Sequence, residues 1–287
     1  MIRNNNLSVL PWYSSIDQQN ARKWWAYGKI YPLFTPAKYI LPFQIMRETT
    51  ETSAITSFKI YTKEGVLVGD YTSAITGSIT FKHLSEYDVI VYPGTSALFQ
   101  SFNVGQYYAV LVEGDNTWYS EVFTVVDNIQ NFLKIEWWNV ENFTMDAGTI
   151  IYRDPNYHNV IYLDADIAKP DYSFEEDGES RDGYYFPVKQ ISEKKYKFSF
   201  LASEYLLDVM RLIRLSDIVS IAKVGAQYRA DSFLMSVDWI GDGDIASVEA
   251  EFDTATVAKK VGGAYLMGRM GDFNDDFNND FFNIEEL

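Results

Sequence analysis

The chain has 287 residues, no cysteine, two histidines and a formal net charge of −16, from 24 basic against 40 acidic side chains. The missing thiols exclude disulfide scaffolds, thiol catalysis and cysteine-based zinc sites, and they leave the redox compartment open. The acidic balance argues against specific nucleic-acid binding, whose affinity comes from Lys and Arg displacing counterions, and against attachment to anionic lipid.

A chain of this length buries roughly three quarters of the surface its unfolded form exposes, so it needs no covalent staple. Aromatic residues make up 16% of it, a composition that suits pleated strands and contact surfaces. The opening MIRNNNLSVLPWY lacks the apolar centre of a secretion signal, and no run approaches the roughly 20 apolar residues of a membrane span. The expectation is a soluble protein made in a cytoplasm.

Residues 1–38 read as an irregular N-terminal arm, punctuated by Pro11, Pro32 and Pro36 and carrying Trp12, Trp24 and Trp25, with a short helical turn over Asp17–Trp25. Such an arm needs something to lie against, its own domain or a neighbouring subunit. A β pattern begins at Tyr39 with Ile40, Leu41, Phe43 and Ile45. SFKIYTKEGVLVGDYT predicts a hairpin turning at Glu64–Gly65, with Phe58 and Ile60 on one strand and Val66 and Val68 on the other. GSITFKHL, DVIVYPG and the two alternating segments of YYAVLVEGDNTWYSEVFTVV complete a β-sandwich over 39–126, immunoglobulin-like in outline.

A second β-rich domain over 127–265 starts with LKIEWWN, GTIIYRD and VIYLDADI. The acidic stretch DYSFEEDGESRD, 171–182, reads as a solvated loop, because a catalytic acid pair needs one apolar environment and its EEDGESRD part is uniformly polar. KKYKFSFLA is the clearest strand, with Tyr196, Phe198 and Phe200 on one face. One helix is expected over 204–215, where Leu206, Met210 and Ile213 fall at helical spacing behind Ser203 as N-cap. Strands resume in SIAKV, SFLMSVDW and IASVEAEFD. Residues 266–287 form an acidic C-terminal tail in which Phe273, Phe277 and Phe281 recur every four residues.

Neither His83 nor His158 lies in a nucleophile motif, and no phosphate- or dinucleotide-binding fingerprint appears. DWIGDGDIASVE partly fits a calcium loop through Asp238, Asp242, Gly243 and Glu249, but Ile240 stands where an oxygen ligand belongs. A hairpin turn explains the same residues. No catalytic residue, cofactor or metal is therefore expected. The residues expected to bind partners are Trp12, Trp24 and Trp25 on the arm and Phe273, Phe277 and Phe281 on the tail, whose rings would lie on one stripe of a docked helix.

LPWY near the N-terminus, YYAVLVEGDNTWYSEVFTV, LKIEWWN and DGYYFPVKQISEKKYKFSF, together with the ending DFNDDFNNDF, carry a resemblance that spans about residues 7–262. The chain resembles structural proteins of the tail or baseplate region encoded by phages and prophages of gut Bacteroidota, crAss-like phages included. The resemblance implies a virion component, a tail or tail-hub protein in a symmetric homo-oligomer with other virion proteins as partners. An acidic wall lining a tail channel would let DNA pass without sticking. The fold expectation is mainly β: an N-terminal immunoglobulin-like sandwich, a C-terminal β domain with one helix, and extended terminal arms. The other reading is a carbohydrate-binding module in which Trp118, Trp137 or Trp138 share a flat exposed face.

Overall fold

The computed structural model describes residues 7–16, 33–49, 54–94, 98, 103–145, 148–181, 183–241, 245–254 and 258–261. In the first half these form β1 (Trp12–Tyr13), β2 (Phe34–Pro36), β3 (Phe43–Arg47), β4 (Ile55–Thr62), β5 (Leu67–Asp70), a short helix α1 (Thr72–Thr76), β6 (Thr80–His83), β7 (Asp88–Tyr92), β8 (Gly105–Glu113), β9 (Asn116–Ser120) and β10 (Phe123–Val126). β8 is the spine of a seven-stranded sheet. It pairs with β4 on one side and with β9 and then β10 on the other; β1, β2 and β5 extend the flanks. The expected hairpin joins β4 to β5, and Gly65 at its turn has a φ of 86°, which a side chain would strain.

A three-stranded sheet, β3-β7-β6, lies against the larger one. Phe43 of the small sheet packs 4.6 Å from the Trp12 ring and stacks at 6.5 Å on Phe58, both from the large sheet. These contacts fill the interior of a β-sandwich. Alternation along β8 buries Tyr107, Ala109 and Leu111 and turns the intervening residues outward, as a half-buried strand requires.

The second half forms β11 (Leu133–Trp138), β12 (Phe143–Met145), β13 (Gly148–Ile150), β14 (Asn159–Leu163), β15 (Asp171–Arg181), β16 (Tyr184–Ser203), a helix α2 (Glu204–Met210), β17 (Ile218–Lys223), β18 (Ala226–Trp239), β19 (Ile245–Thr254) and β20 (Ala258–Val261). Apart from the β12–β13 pair, these strands build one eight-stranded antiparallel sheet, in the order β14-β11-β17-β18-β19-β16-β15 with β20 on β16. The chain is thus mainly β, as its composition and alternation predict. One buried cluster runs from Val9 and Trp12 through Phe123 and Trp137 to Val248 and Phe252, so the core is continuous across residue 126.

Three local expectations change. The helix expected over 204–215 is α-helical only to Met210, and a 3-10 turn covers Ile213–Leu215; this tighter ending buries Leu212 and Ile213 as well as Leu206 and Val209. Residues 7–13 of the expected irregular arm include a strand and, of the two supports open to it, lie against their own domain: β1 pairs with β9, and Val9, Leu10 and Trp12 are core residues. The acidic segment is solvated, as expected, but over Asp171–Arg181 it is a strand and not a loop. It forms β15, because β16 supplies opposite charges in register, Asp171 facing Lys195 and Asp177 facing Lys189. Within DWIGDGDIASVE, Asp238 and Trp239 end β18 and residues 245–249 belong to its antiparallel partner β19, with the Ile240 amide donating to the Ile245 carbonyl at 3.1 Å; residues 242–244, among them Asp242 and Gly243 of the calcium reading, lie outside the described residues.

Candidate functional site

The β15–β16 hairpin leaves the body of the molecule. β16 has 20 residues, and its second half, Lys195–Ser203, is flanked by β19 inside the main sheet. Its first half is flanked by β15 on one side and, over Lys189–Ser192, by β20 on the other. At about 3.3 Å per residue, β15 alone is roughly 36 Å long.

Tyr196, Phe198 and Phe200 line the inner face of β16, with Phe198 and Phe200 buried. Strand alternation carries that face outward to Lys194 and Ser192, whose partners on β15 are Tyr172 and Phe174. Tyr172 is 60% exposed and Phe174 78% exposed. The core-facing side of the sheet therefore continues past the core as an aromatic surface. Tyr184 and Val188, farther along the hairpin, are exposed too, and Val188 is the extra residue of a bulge opposite Asp177/Gly178. The Lys194 ammonium lies 5.6 Å from the centre of the Tyr172 ring. On the opposite face the Lys197 ammonium is 3.4 Å from the Asp171 carboxylate.

Two polar clusters lie elsewhere. The alternation of β8 brings Glu113 into the buried phase, so its carboxylate sits between the two sheets of the sandwich. There the Arg47 guanidinium lies 2.9 Å from Glu113 and 3.5 Å from Asp88, all three side chains being almost wholly buried. Burial pushes the Glu113 carboxyl up from its ordinary range, and Arg47 opposes the shift. His83 Nδ1 is 2.9 Å from the other oxygen of Asp88. This cluster ties four strands, β3, β6, β7 and β8, together at one end of the sandwich.

The second cluster is on the outward side of β11 and β14. Glu136 accepts from His158 Nδ1 and from the Lys134 ammonium, each at 2.8 Å, and the His158 ring stacks at 4.1 Å on Trp138. The hydrogen bond from His158, reinforced by Lys134, holds the Glu136 carboxyl down at about 2 despite burial. Lys134, Glu136 and His158 line a cleft of about 430 Å³ together with Tyr39, Pro42 and Tyr162. Lys134, Glu136 and His158 satisfy one another, so the arrangement acts as a polar clamp between β11 and β14. Among the described residues no group of His, Asp and Glu is suited to hold a metal ion, and no helix is long and apolar enough to cross a membrane.

Of the residues expected to bind partners, Trp12 is only 1% exposed and packs on Phe43, which makes it a core side chain and not a docking anchor. Trp24, Trp25, Phe273, Phe277 and Phe281, and the helical turn expected over 17–25, lie outside the described residues. Trp118 and Trp137 are buried and Trp138 is half-buried against His158, so they share no flat exposed face of the kind a sugar-stacking site needs. Sequence reasoning missed Tyr172 and Phe174. Their spacing of two inside DYSFEED was the available signal, hidden by the surrounding acids.

No protein-family model matches the chain, and no curated protein matches it. Among solved structures it is similar to the ZIG-8–RIG-5 IG1–IG1 heterodimer, at 12% identity over 34% of this chain and 84% of that one, with a TM-score of 0.16. A TM-score that low carries no argument; the sandwich rests on the strand pairing itself.

Proposed function

We propose that this protein is a structural component of a phage particle, a tail or tail-hub protein that works by contact with other virion proteins and with copies of itself. The observation that supports this reading is the projecting β15–β16 hairpin, which holds Tyr172, Phe174, Tyr184 and Val188 in solvent. Large exposed aromatics in one place mark contact surfaces, where rigid rings bury much area at small entropic cost. Beyond β20, over residues 184–188 of β16, the ribbon is two-stranded, which is marginal by itself in water, and cover by a neighbour would stabilise it. The sequence resemblance over about residues 7–262 supplies the kind of particle, and the acidic charge suits a component that does not grip DNA.

Light scattering coupled to size-exclusion chromatography tests it, on the protein alone and mixed with the other tail proteins of the same particle. Assembly that is lost in a Tyr172→Ser/Phe174→Ser variant, with the fold intact by circular dichroism, is the expected result. A protein that stays monomeric at high concentration in both settings would refute the reading.

A further inference from the structure

The projecting ribbon has two edges of opposite charge. Its β15 edge, Asp171–Arg181, carries five acids against one base, while β20 on the far side reads Ala-Lys-Lys-Val. Among the described residues neither strand has a neighbour on its outer side. The registers place these sequence positions at one level. Ile191 faces Glu175 on one side and Lys259 on the other; Gln190 likewise faces Glu176 and Lys260. Both outer strands run antiparallel to β16, so they run parallel to each other.

We infer that the acidic β15 edge of one copy pairs, in parallel, with the basic β20 edge of the next, joining the ribbons of successive copies into one continuous sheet. This rests on the proposed assembly function and names its partner as a second copy of this chain. A copy rotated about an axis along the ribbon, without any shift along it, brings Lys259 and Lys260 to the level of its neighbour's Glu175 and Glu176. Such a head-to-tail contact, repeated by rotation, closes into a ring. The other homotypic pairing, β15 on β15 across a two-fold axis, would crowd the acids of two copies along one seam, and like charges across strands repel. Parallel pairing is already used in this fold, where β10 pairs with β2.

The absence of cysteine gives a clean test, because any thiol is an engineered one. Glu175→Cys and Lys259→Cys, mixed as separate full-length proteins under mild oxidation, should give a covalent dimer that neither gives alone. The double variant should give a ladder of multimers. Within one chain those positions are two strands, roughly 9.5 Å, apart, beyond the roughly 7 Å between Cα atoms that a disulfide spans. As a second measurement, Lys259→Glu/Lys260→Glu should raise the concentration needed for half-assembly at least about tenfold. Adding Glu175→Lys/Glu176→Lys to the same chain should restore assembly.

Glu175→Cys cross-linking with itself as readily would indicate two-fold pairing of acidic edges and overturn the inference. So would a Glu175→Cys/Phe277→Cys variant that closes within one chain, which would put the protein's own C-terminal segment on that edge. Oligomers seen by light scattering without the mixed cross-link or the charge rescue would overturn the edge pairing alone and leave the assembly function standing. Monomers throughout would overturn both, and β15 would then be an edge whose acids serve only to prevent pairing.

Discussion

Arg47→Met tests the account of the sandwich interior. The guanidinium is the cation between two buried carboxylates, 2.9 Å from Glu113 and 3.5 Å from Asp88. Removing one partner of a buried ion pair costs about 3–5 kcal/mol, because the remaining charge is stranded in a poor solvent. The lower end is expected here, since Asp88 keeps His83 at 2.9 Å. For a chain of 287 residues that loss corresponds to a fall in Tm of roughly 5 °C. The variant also carries a pH signature. Burial already raises the Glu113 carboxyl, and Arg47 is what opposes the rise, so its removal raises that group further. An acid whose folded-state pKa lies above its unfolded value binds its proton more readily in the folded state. Its destabilising effect is therefore present at neutral pH and shrinks as the pH falls through the raised value. Urea melts followed by tryptophan fluorescence, from pH 7 down to pH 4.5, measure both effects. Arg47→Met/Glu113→Gln should recover much of the loss. A cost below about 1 kcal/mol at pH 7, or a deficit that grows on acidification, would refute the reasoning.

Two further outcomes follow from the same structure. Glu136 behaves in the opposite sense: its carboxyl is held near 2 against an ordinary value of 4.5, so it stabilises the fold above the ordinary value and that contribution is lost as the pH falls towards 2. Glu136→Gln should flatten this acid limb by at most about 2–3 kcal/mol, visible as a weaker pH dependence of the urea midpoint between pH 4.5 and 2. Trp12→Ala should cost about 3–5 kcal/mol in thermal or denaturant melts, the range for emptying a large aromatic site; a near-neutral result would mean that the ring contributes little to the core.

The strands that were legible share one property, an environment that differs between their two faces. β8 alternates because one side meets the opposing sheet, and the same applies to Tyr196, Phe198 and Phe200 on β16. The β4–β5 turn was legible because Gly65 supplies a backbone conformation that side chains resist. β15 was not legible, since both its faces are solvated there and its pairing depends on Lys189, Lys194 and Lys195, several residues farther along the chain. Trp12 was misplaced for a related reason. Nothing local to LPWY tells whether an indole will meet solvent or Phe43, and that contact forms only when two sheets close on each other.

The sequence by itself determined the β-rich class, the acidity and the lack of thiol chemistry, because composition and local alternation are properties of the chain before it folds. The tertiary structure decided which aromatics are core and which are surface, burying Trp12, Trp118 and Trp137 while leaving Tyr172 and Phe174 in solvent. It also decided that Glu175 and Glu176 stand level with Lys259 and Lys260 across the ribbon. Residues more than 80 positions apart share a level only through strand register, and strand register is a long-range property.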